Sequence, residues 1–194
     1  MDRAEPKSPS LRRTPRPGKE SARLFFALWP HAELRRSLHQ AAKHLHVSCG
    51  GRPVNPQNLH LTLVFLGEVE TVRLSDLGSA VSGVEAGAFD LNIERLGYWE
   101  HNRVAWAAPR NVPEALAVLV GRLRAPLLGA GFKFDQRDFA AHITLLRNAA
   151  CRHLPELVQT LAWRVEDFAL VHSQPGVQGS EYRVLERWPL RRIE

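Results

Sequence analysis

The sequence predicts an α+β fold of two duplicated halves, in which two mainly antiparallel sheets face a central cleft and helices lie outside. Short apolar or aromatic runs alternate with amphipathic segments of helical period along the chain. Both halves also have the same order of elements: a helix, a strand containing His-x-Thr-Leu, a helix and two further strands. The tetrapeptide occurs at 60–63 and again at 142–145. A repeat this long indicates two related lobes and not a solenoid, whose periods are shorter.

The first half follows a polar N-terminal segment. Residues 1–22 contain four prolines and almost no apolar side chains, so we expect a disordered Arg/Pro-rich tail. The expected elements after the tail are a buried strand at 23–29, a helix at 34–49, a strand at 58–67, a helix at 74–84, and strands at 89–99 and 103–108.

The second half repeats this order. A helix begins at Pro113 and has an inward apolar face up to Leu127. The expected elements after it are a strand at 139–146, a short helix at 153–162, and a strand pair at 163–174 and 180–190. We therefore treat residues 23–194 as a single bilobal domain with one motif in each pseudo-repeat.

Composition limits the class of protein. The chain has 194 residues, of which 44% are hydrophobic, so it can bury a core without covalent staples. Cys49 and Cys151 are far apart in the sequence, so a secreted disulfide scaffold or a cysteine zinc site is not expected, and a reducing cytoplasm fits better. No apolar run is long enough to cross a bilayer, and we expect a cytoplasmic protein without membrane contact. The net charge of +6 favours an anionic partner but does not identify one.

Each motif presents an imidazole together with a hydroxyl. On a strand, His60 and Thr62 lie on one face while Leu61 and Leu63 point to the other. The second motif repeats this alternation, with His142 and Thr144 on one face. If the lobes are related by an approximate two-fold axis, the two His-Thr pairs face each other across the cleft.

This arrangement suits in-line displacement at phosphorus, which needs a base for the attacking water and an acid for the leaving oxygen. Histidine can serve in either role because its ordinary pKa is about 6.5. The hydroxyls of Thr62 and Thr144 can hydrogen-bond the non-bridging oxygens, and Arg147 is a candidate phosphate clamp. We expect no metal or other cofactor, since a zinc site would need carboxylate or cysteine ligands at suitable spacing. The other seven histidines are interpreted as structural or exposed.

Four segments resemble the two-histidine (2H) phosphoesterase superfamily, and within it the bacterial RNA 2′,3′-cyclic phosphodiesterases once called 2′-5′ RNA ligases. They are RLFFALWP at 23–30, NLHLTLVFLGEV at 58–69, RLGYW…RVAWAA at 95–108 and HITLLR at 142–147. The chain departs from many relatives at Ala141, where they have proline before the second histidine.

The resemblance implies a bilobal fold and hydrolysis of RNA 2′,3′-cyclic phosphates to 2′-phosphates. It implies that His60 is the proton donor to the departing 3′-oxygen and that His142 is the proton acceptor that activates water. Thr62 and Thr144 match the motif threonines, and Arg147 matches a basic residue often found after the second motif. The implied partners are RNA ends or nucleotides with a cyclic phosphate. We also expect the protein to be a monomer.

Three other functions remain open from the sequence. The basic body and tail would also suit a module that binds RNA ends or nucleotides without turning them over. The same site could ligate RNA ends reversibly through 2′-5′ linkages, or hydrolyse a small cyclic nucleotide.

Four aromatic residues could stack on a nucleobase, although core packing is the use expected for most of them. They are Phe25, Trp99, Trp106 and Phe139.

Overall fold

The computed structural model describes residues 20–176 and 179–191, and this part of the chain has an α+β fold. Its helices are α1 (Ala32–Cys49), α2 (Leu74–Val81) and α3 (Glu114–Gly129). Its strands are β1 (Ser21–Leu28), β2 (Arg52–Pro53), β3 (Leu61–Glu70), β4 (Phe89–Ile93), β5 (Arg95–Trp99), β6 (Val104–Ala108), β7 (Ile143–Arg147), β8 (Leu161–Val165), β9 (Asp167–Gly176) and β10 (Gly179–Pro189).

The strands pair in antiparallel fashion into one long sheet and one short sheet. The long sheet has the order β10-β9-β1-β3-β7-β6-β5, with β2 also beside β7, and the short sheet pairs β4 with β8. The two motif strands, β3 and β7, share a single register pair, Leu61 opposite Ile143. The long sheet therefore consists of two antiparallel halves that join at the strands carrying the motifs. The α+β class with antiparallel sheets is confirmed.

The two faces of strand β1 pack against different clusters because successive side chains alternate. Leu24 and Phe26 belong to the main core, which the helices cover, and both are fully buried. Phe25 and Ala27 belong to a small cluster on the opposite face. Trp29 and Tyr182 pack against this second cluster. The second face is the one that borders the candidate site.

Three expectations about secondary structure are wrong. Residues 153–162 do not form a helix, and the segment from 151 to 160 is irregular. Leu154 and Val158 are exposed and Leu157 is only partly buried against the main core, and so short a helix is not stable without more packing. The expected strands at 89–99 and 163–174 are each divided, because β4 and β8 leave the long sheet to pair with each other.

The ends of the described chain also differ from expectation. Residues 1–19 of the expected tail lie outside the described residues. Ser21 and Ala22, which were assigned to the tail, belong to β1, and Ala22 is buried. The strand begins two residues earlier than expected because its first residues pair with the end of β3, where Ser21 lies opposite Glu70.

The two cysteines are bonded to each other, contrary to expectation. Cys49 and Cys151 form a disulfide with a Cα–Cα distance of 4.2 Å across a sequence separation of 102. They meet because the end of α1 contacts the segment after β7, where the Ala150 amide donates to the Cys49 carbonyl at 2.8 Å. The two cysteines therefore no longer indicate a reducing compartment. Within residues 20–176 and 179–191, no helix is both long and apolar enough to cross a membrane.

Candidate active site

The five predicted site residues lie together. His60 and His142 each occupy the position immediately before a motif strand, and the structure places both on one cavity of about 1210 Å³. Thr62, Thr144 and Arg147 line the same cavity. The residues between them point away, as the strand period requires: Leu61, Leu63, Ile143 and Leu145 are buried in the main core. The apolar residues thus fix the strands while the polar residues face the cavity.

Both imidazoles are held by the same hydrogen bond to the backbone. The Nδ1 of His60 lies 2.6 Å from the carbonyl oxygen of Asn58, and the Nδ1 of His142 lies 2.7 Å from that of Ala140. A carbonyl oxygen can only accept, so Nδ1 carries the proton and donates in each case. This fixes the tautomer and leaves Nε2 of each ring as the nitrogen that can exchange a proton with a ligand.

Burial lowers the pKa of both histidines. The pKa of His60 is lowered to about 4: removal from water is the largest cause, the hydrogen bond to Asn58 acts in the opposite direction, and the charges of Arg147 and His142 add to the lowering. The pKa of His142 is also lowered, first by burial and then by Arg147, while its bond to Ala140 raises it. Arg147 thus acts on both rings. An anionic phosphate beside it would offset its charge and raise both pKa values.

Aromatic rings account for much of the burial of His60. Trp29 is stacked on the imidazole with ring centroids 5.4 Å apart and an interplanar angle of 8°. Phe25 lies 4.9 Å from it, and Tyr182 makes an edge contact at 5.1 Å. His142 has an edge contact with Trp99 at 4.5 Å. The first histidine therefore lies in a more aromatic setting than the second.

The aromatic residues named from the sequence separate into two groups. Phe25 and Trp99 line the cavity and contact the histidines. Trp106 and Phe139 are not among the lining residues; Trp106 packs over Gly97 and beside Trp99, and Phe139 packs against the main core. Core packing is thus the use of Phe139, whereas Trp106 packs against Trp99 and the guanidinium of Arg95.

The sequence did not single out several residues of the cavity. Tyr182 reaches the site only because β10 pairs with β9, so no local pattern marks it. His39, interpreted from the sequence as structural or exposed, also lines the cavity, and its Nδ1 is buried without a hydrogen-bond partner in the described chain. Arg23 and Arg52 line the cavity as well, on β1 and β2.

The charge of the cavity favours an anion. Its lining contains three arginines, Arg23, Arg52 and Arg147, against one carboxylate, Glu181. Arg52 and Arg147 lie opposite each other on β2 and β7. Guanidinium groups bind phosphate oxygens through paired hydrogen bonds. Across the part of the chain that the structure describes, no group of three or more His, Cys, Asp or Glu side chains is placed to hold a metal ion.

Comparison with known proteins identifies the family. The family model described as LigT like Phosphoesterase matches residues 28–106 and again residues 107–182. The chain belongs to this family. A member of the LigT-like family, the RNA 2′,3′-cyclic phosphodiesterase of Escherichia coli (strain K12), is 35% identical over 173 residues, 88% of this chain and 98% of the relative. The protein of that name from Thermus thermophilus is 35% identical over 181 residues, 87% of this chain and 90% of the relative.

A solved structure of this family agrees in fold. The crystal structure of E. coli LigT complexed with 3′-AMP matches with a TM-score of 0.81 and 36% identity, covering 88% of this chain and 99% of that one. The LigT-like family model divides between the two halves of the chain, one match for each motif. The resemblance seen in the sequence is therefore confirmed.

Proposed function

We propose that this protein hydrolyses RNA 2′,3′-cyclic phosphate ends to 2′-phosphates, without a metal, by paired histidine acid–base catalysis. The main support is that two imidazoles with the same Nδ1 hydrogen bond line one arginine-rich cavity. Two relatives at 35% identity carry the name RNA 2′,3′-cyclic phosphodiesterase, and E. coli LigT has been crystallised with the nucleotide 3′-AMP.

In the proposed reaction, water attacks the phosphorus of the cyclic phosphate and the P–O3′ bond breaks. His142 accepts the proton of the attacking water at Nε2, and His60 donates a proton from Nε2 to the departing 3′-oxygen. Thr62 and Thr144 donate hydrogen bonds to the non-bridging oxygens, where negative charge accumulates. The products are a 2′-phosphate and a free 3′-hydroxyl, so the proton taken from water is balanced by the one given to the ribose.

His60 can donate only from its protonated form. Its lowered pKa, about 4, leaves little of that form at neutral pH. Binding of the phosphate anion changes this balance, because the anion offsets the charge of Arg147 and favours the imidazolium. Arg147 therefore has two proposed effects: it binds the phosphate, and it adds to burial, the larger cause, in keeping the imidazoles neutral until the phosphate is bound.

The proposal is tested with an RNA oligonucleotide that ends in a 2′,3′-cyclic phosphate, assayed with EDTA present. Single replacement of His60 or His142 by alanine should lower kcat by about 10²- to 10⁴-fold, the usual contribution of a general acid or base. His44→Ala is the matched control, since His44 is exposed on α1 and does not line the cavity. Phosphorus NMR identifies the product as a 2′- or a 3′-phosphate.

Equal turnover by wild type and by the double variant of His60 and His142 would overturn the proposal. Tight binding of the oligonucleotide with no product after long incubation would favour the binding module instead. Products formed when a second RNA with a 5′-hydroxyl is supplied would reveal the reverse, ligating reaction.

Three further expectations stay predictions. They are that residues 23–194 act as one bilobal domain, that the protein is a monomer, and that it acts in the cytoplasm. Sedimentation of the full chain tests the second. For the third, the reducing environment inferred from the cysteines has lost its support, because Cys49 and Cys151 are bonded.

A further inference from the structure

The chain turns immediately after Arg147, the residue proposed to bind the phosphate. Strand β7 ends at Arg147, and Asn148 has a φ of 55°, in the left-handed region that residues other than glycine rarely adopt. The next residue, Ala149, is fully buried. The side chain of Arg147 is exposed, so side-chain packing does not direct it. Its direction therefore depends on how the backbone of this turn is held.

Arg103 holds the turn through three hydrogen bonds. Its Nε donates to the carbonyl of Ala149 at 3.1 Å, and its Nη2 donates to the carbonyl of Asn148 at 3.2 Å. Its own carbonyl accepts from the amide of Ala149 at 2.9 Å. Arg103 has a φ of 56°, and within the described residues it and Asn148 are the two residues other than glycine with a positive φ. Such conformations persist where surrounding contacts hold them, and here these two residues hold each other.

Two other contacts enclose the same turn. The hydroxyl of Tyr98 donates to the carbonyl of Ala149 at 2.9 Å. Gly51 packs so closely that a Cβ atom at its position would lie 2.7 Å from the carbonyl oxygen of Arg147. The backbone on both sides of Arg147 is thus fixed, and Arg103 supplies the largest share of the hydrogen bonds described for it.

Arg103 does not reach the cavity itself. Its neighbours Asn102 and Val104 line the cavity, and Arg103 is not among the lining residues. The charge of Arg147 lowers the pKa of both motif histidines, whereas the charge of Arg103 is not among the causes for either. An effect of Arg103 on the site must therefore pass through the backbone that carries Arg147.

We propose that Arg103 is a positioning residue for Arg147: by bridging two carbonyls of the turn after β7, it directs the Arg147 guanidinium at the phosphate in the cavity. This rests on the proposed function, in which Arg147 binds the phosphate. Without the bridge the turn can relax from its left-handed conformation, and the guanidinium then spreads over several directions. Fewer of these directions allow the paired hydrogen bonds by which arginine binds a phosphate. A displacement of about 1 Å can cost about 100-fold in rate.

The test is a double-mutant cycle of Arg103→Met and Arg147→Met, read by the dissociation constant of inorganic phosphate and by NMR titration of His60 and His142. Arg103→Met alone should weaken phosphate binding by about 3- to 10-fold, part of the loss expected for a charged hydrogen bond. It should also raise the pKa of both imidazoles, by less than Arg147→Met does. When Arg147 is already methionine, adding Arg103→Met should change phosphate binding by no more than about two-fold, because the group it positions is gone.

Arg73→Met is the matched control. Arg73 also donates from its guanidinium to a backbone carbonyl, that of Ala130 at 2.7 Å, and it does not line the cavity. This variant should leave phosphate binding and both titrations unchanged. Arg103→Asn is a second variant if the methionine variant fails to fold, because asparagine tolerates the left-handed backbone. Its side chain is too short to bridge the two carbonyls, so it should weaken phosphate binding as Arg103→Met does.

Two results would overturn the positioning role. One is that Arg103→Met weakens phosphate binding equally with and without Arg147, because Arg103 would then act independently of it. The other is that phosphate binding and both titrations stay at the wild-type values in a folded Arg103 variant.

These measurements need no turnover, which separates the positioning role from the proposed reaction. If the wild type does not hydrolyse an RNA oligonucleotide ending in a 2′,3′-cyclic phosphate but the cycle gives the expected result, only the proposed reaction is refuted. If the wild type is active, Arg103→Met should lower its kcat/KM on that oligonucleotide by about 10- to 100-fold. An unchanged kcat/KM in the active, folded variant would refute the positioning role.

Discussion

Replacing His60 with glutamine should make the folded protein less sensitive to acid. The pKa of His60 is lowered to about 4 in the folded chain, whereas an unfolded histidine titrates near 6.5. Between these values the unfolded chain holds a proton that the folded chain does not. The free energy of unfolding is therefore fully retained above pH 6.5 and is lost as the pH falls toward 4. Glutamine has no such proton and removes this loss.

The magnitude follows from the two pKa values. Integrating the difference in bound protons between pH 7.5 and pH 4.5 gives a loss of about 2.5 kcal/mol from His60 alone. This is a large part of the roughly 5–15 kcal/mol by which domains are stable. Because other groups titrate in both proteins, only the difference between variant and wild type reports the contribution of His60.

The assay is urea unfolding of wild type and variants at both pH values. On acidification, the wild type should lose about 2.5 kcal/mol more than His60→Gln. His44→Gln, which changes an exposed histidine on α1, should behave like the wild type. If wild type and His60→Gln lose stability equally, to within about 0.5 kcal/mol, His60 is not held neutral by burial and the reasoning about its environment is wrong.

Three other predictions follow from the same structure. Catalysis needs one protonated and one neutral imidazole, and because the pKa values of His60 and His142 are both lowered, this state is most populated below pH 6.5. The value of kcat/KM should therefore be highest below pH 6.5 and fall above it, and a rise from pH 5 to pH 8 would contradict this. Arg147→Met should raise the pKa of both imidazoles, measured by NMR titration, and should weaken inhibition by inorganic phosphate, whereas unchanged titrations would exclude the proposed charge effect. Replacing Cys49 and Cys151 by serine should lower the free energy of unfolding by about 2–5 kcal/mol, measured by denaturant without reductant, whereas two reactive thiols in the native wild type would refute the disulfide.

The polar side of each motif could be predicted because it depends on a local rule. Alternation along a strand puts His60 with Thr62 and His142 with Thr144, and the buried leucine and isoleucine neighbours hold that register. A one-residue slip would bury an imidazole and expose a core side chain, so the register is strongly determined. The rule needs no knowledge of the partner strands, and the sequence alone was sufficient for it.

The remaining parts of the site depend on pairing between distant segments. Tyr182 contacts His60 because β10 follows β9 beside β1, a relationship that no local pattern encodes. Phe65 faces the cavity only because of a bulge, which breaks the very alternation on which sequence reasoning relies. The expected helix at 153–162 is wrong for a different reason: Leu154 and Val158 are exposed, so the segment lacks the packed apolar face that would stabilise a short helix. Local patterns therefore indicate which face a segment could bury, and the tertiary structure decides whether it is buried.

The assignment of donor and acceptor is the part of the mechanism that the symmetry of the two halves leaves open. Both imidazoles make the same backbone hydrogen bond, so geometry alone offers each of them a free Nε2. A substrate in which sulfur replaces the 3′-oxygen separates the roles, because a thiolate leaves without a proton far more readily than an alkoxide does. If His60 is the donor, His60→Ala should lose much less activity on the 3′-sulfur substrate than on the 3′-oxygen substrate.

For His142, which would activate water in both cases, the alanine variant should lose activity equally on the two substrates. The opposite pattern, with His142→Ala rescued by sulfur and His60→Ala not, would exchange the two roles. That exchange would leave the pair, the cavity and the reaction class unaffected. The three aromatic rings around His60 would then keep its imidazole neutral so that it can accept the proton of water. Their role would not be to hold the imidazole neutral only until the bound phosphate favours its protonated form.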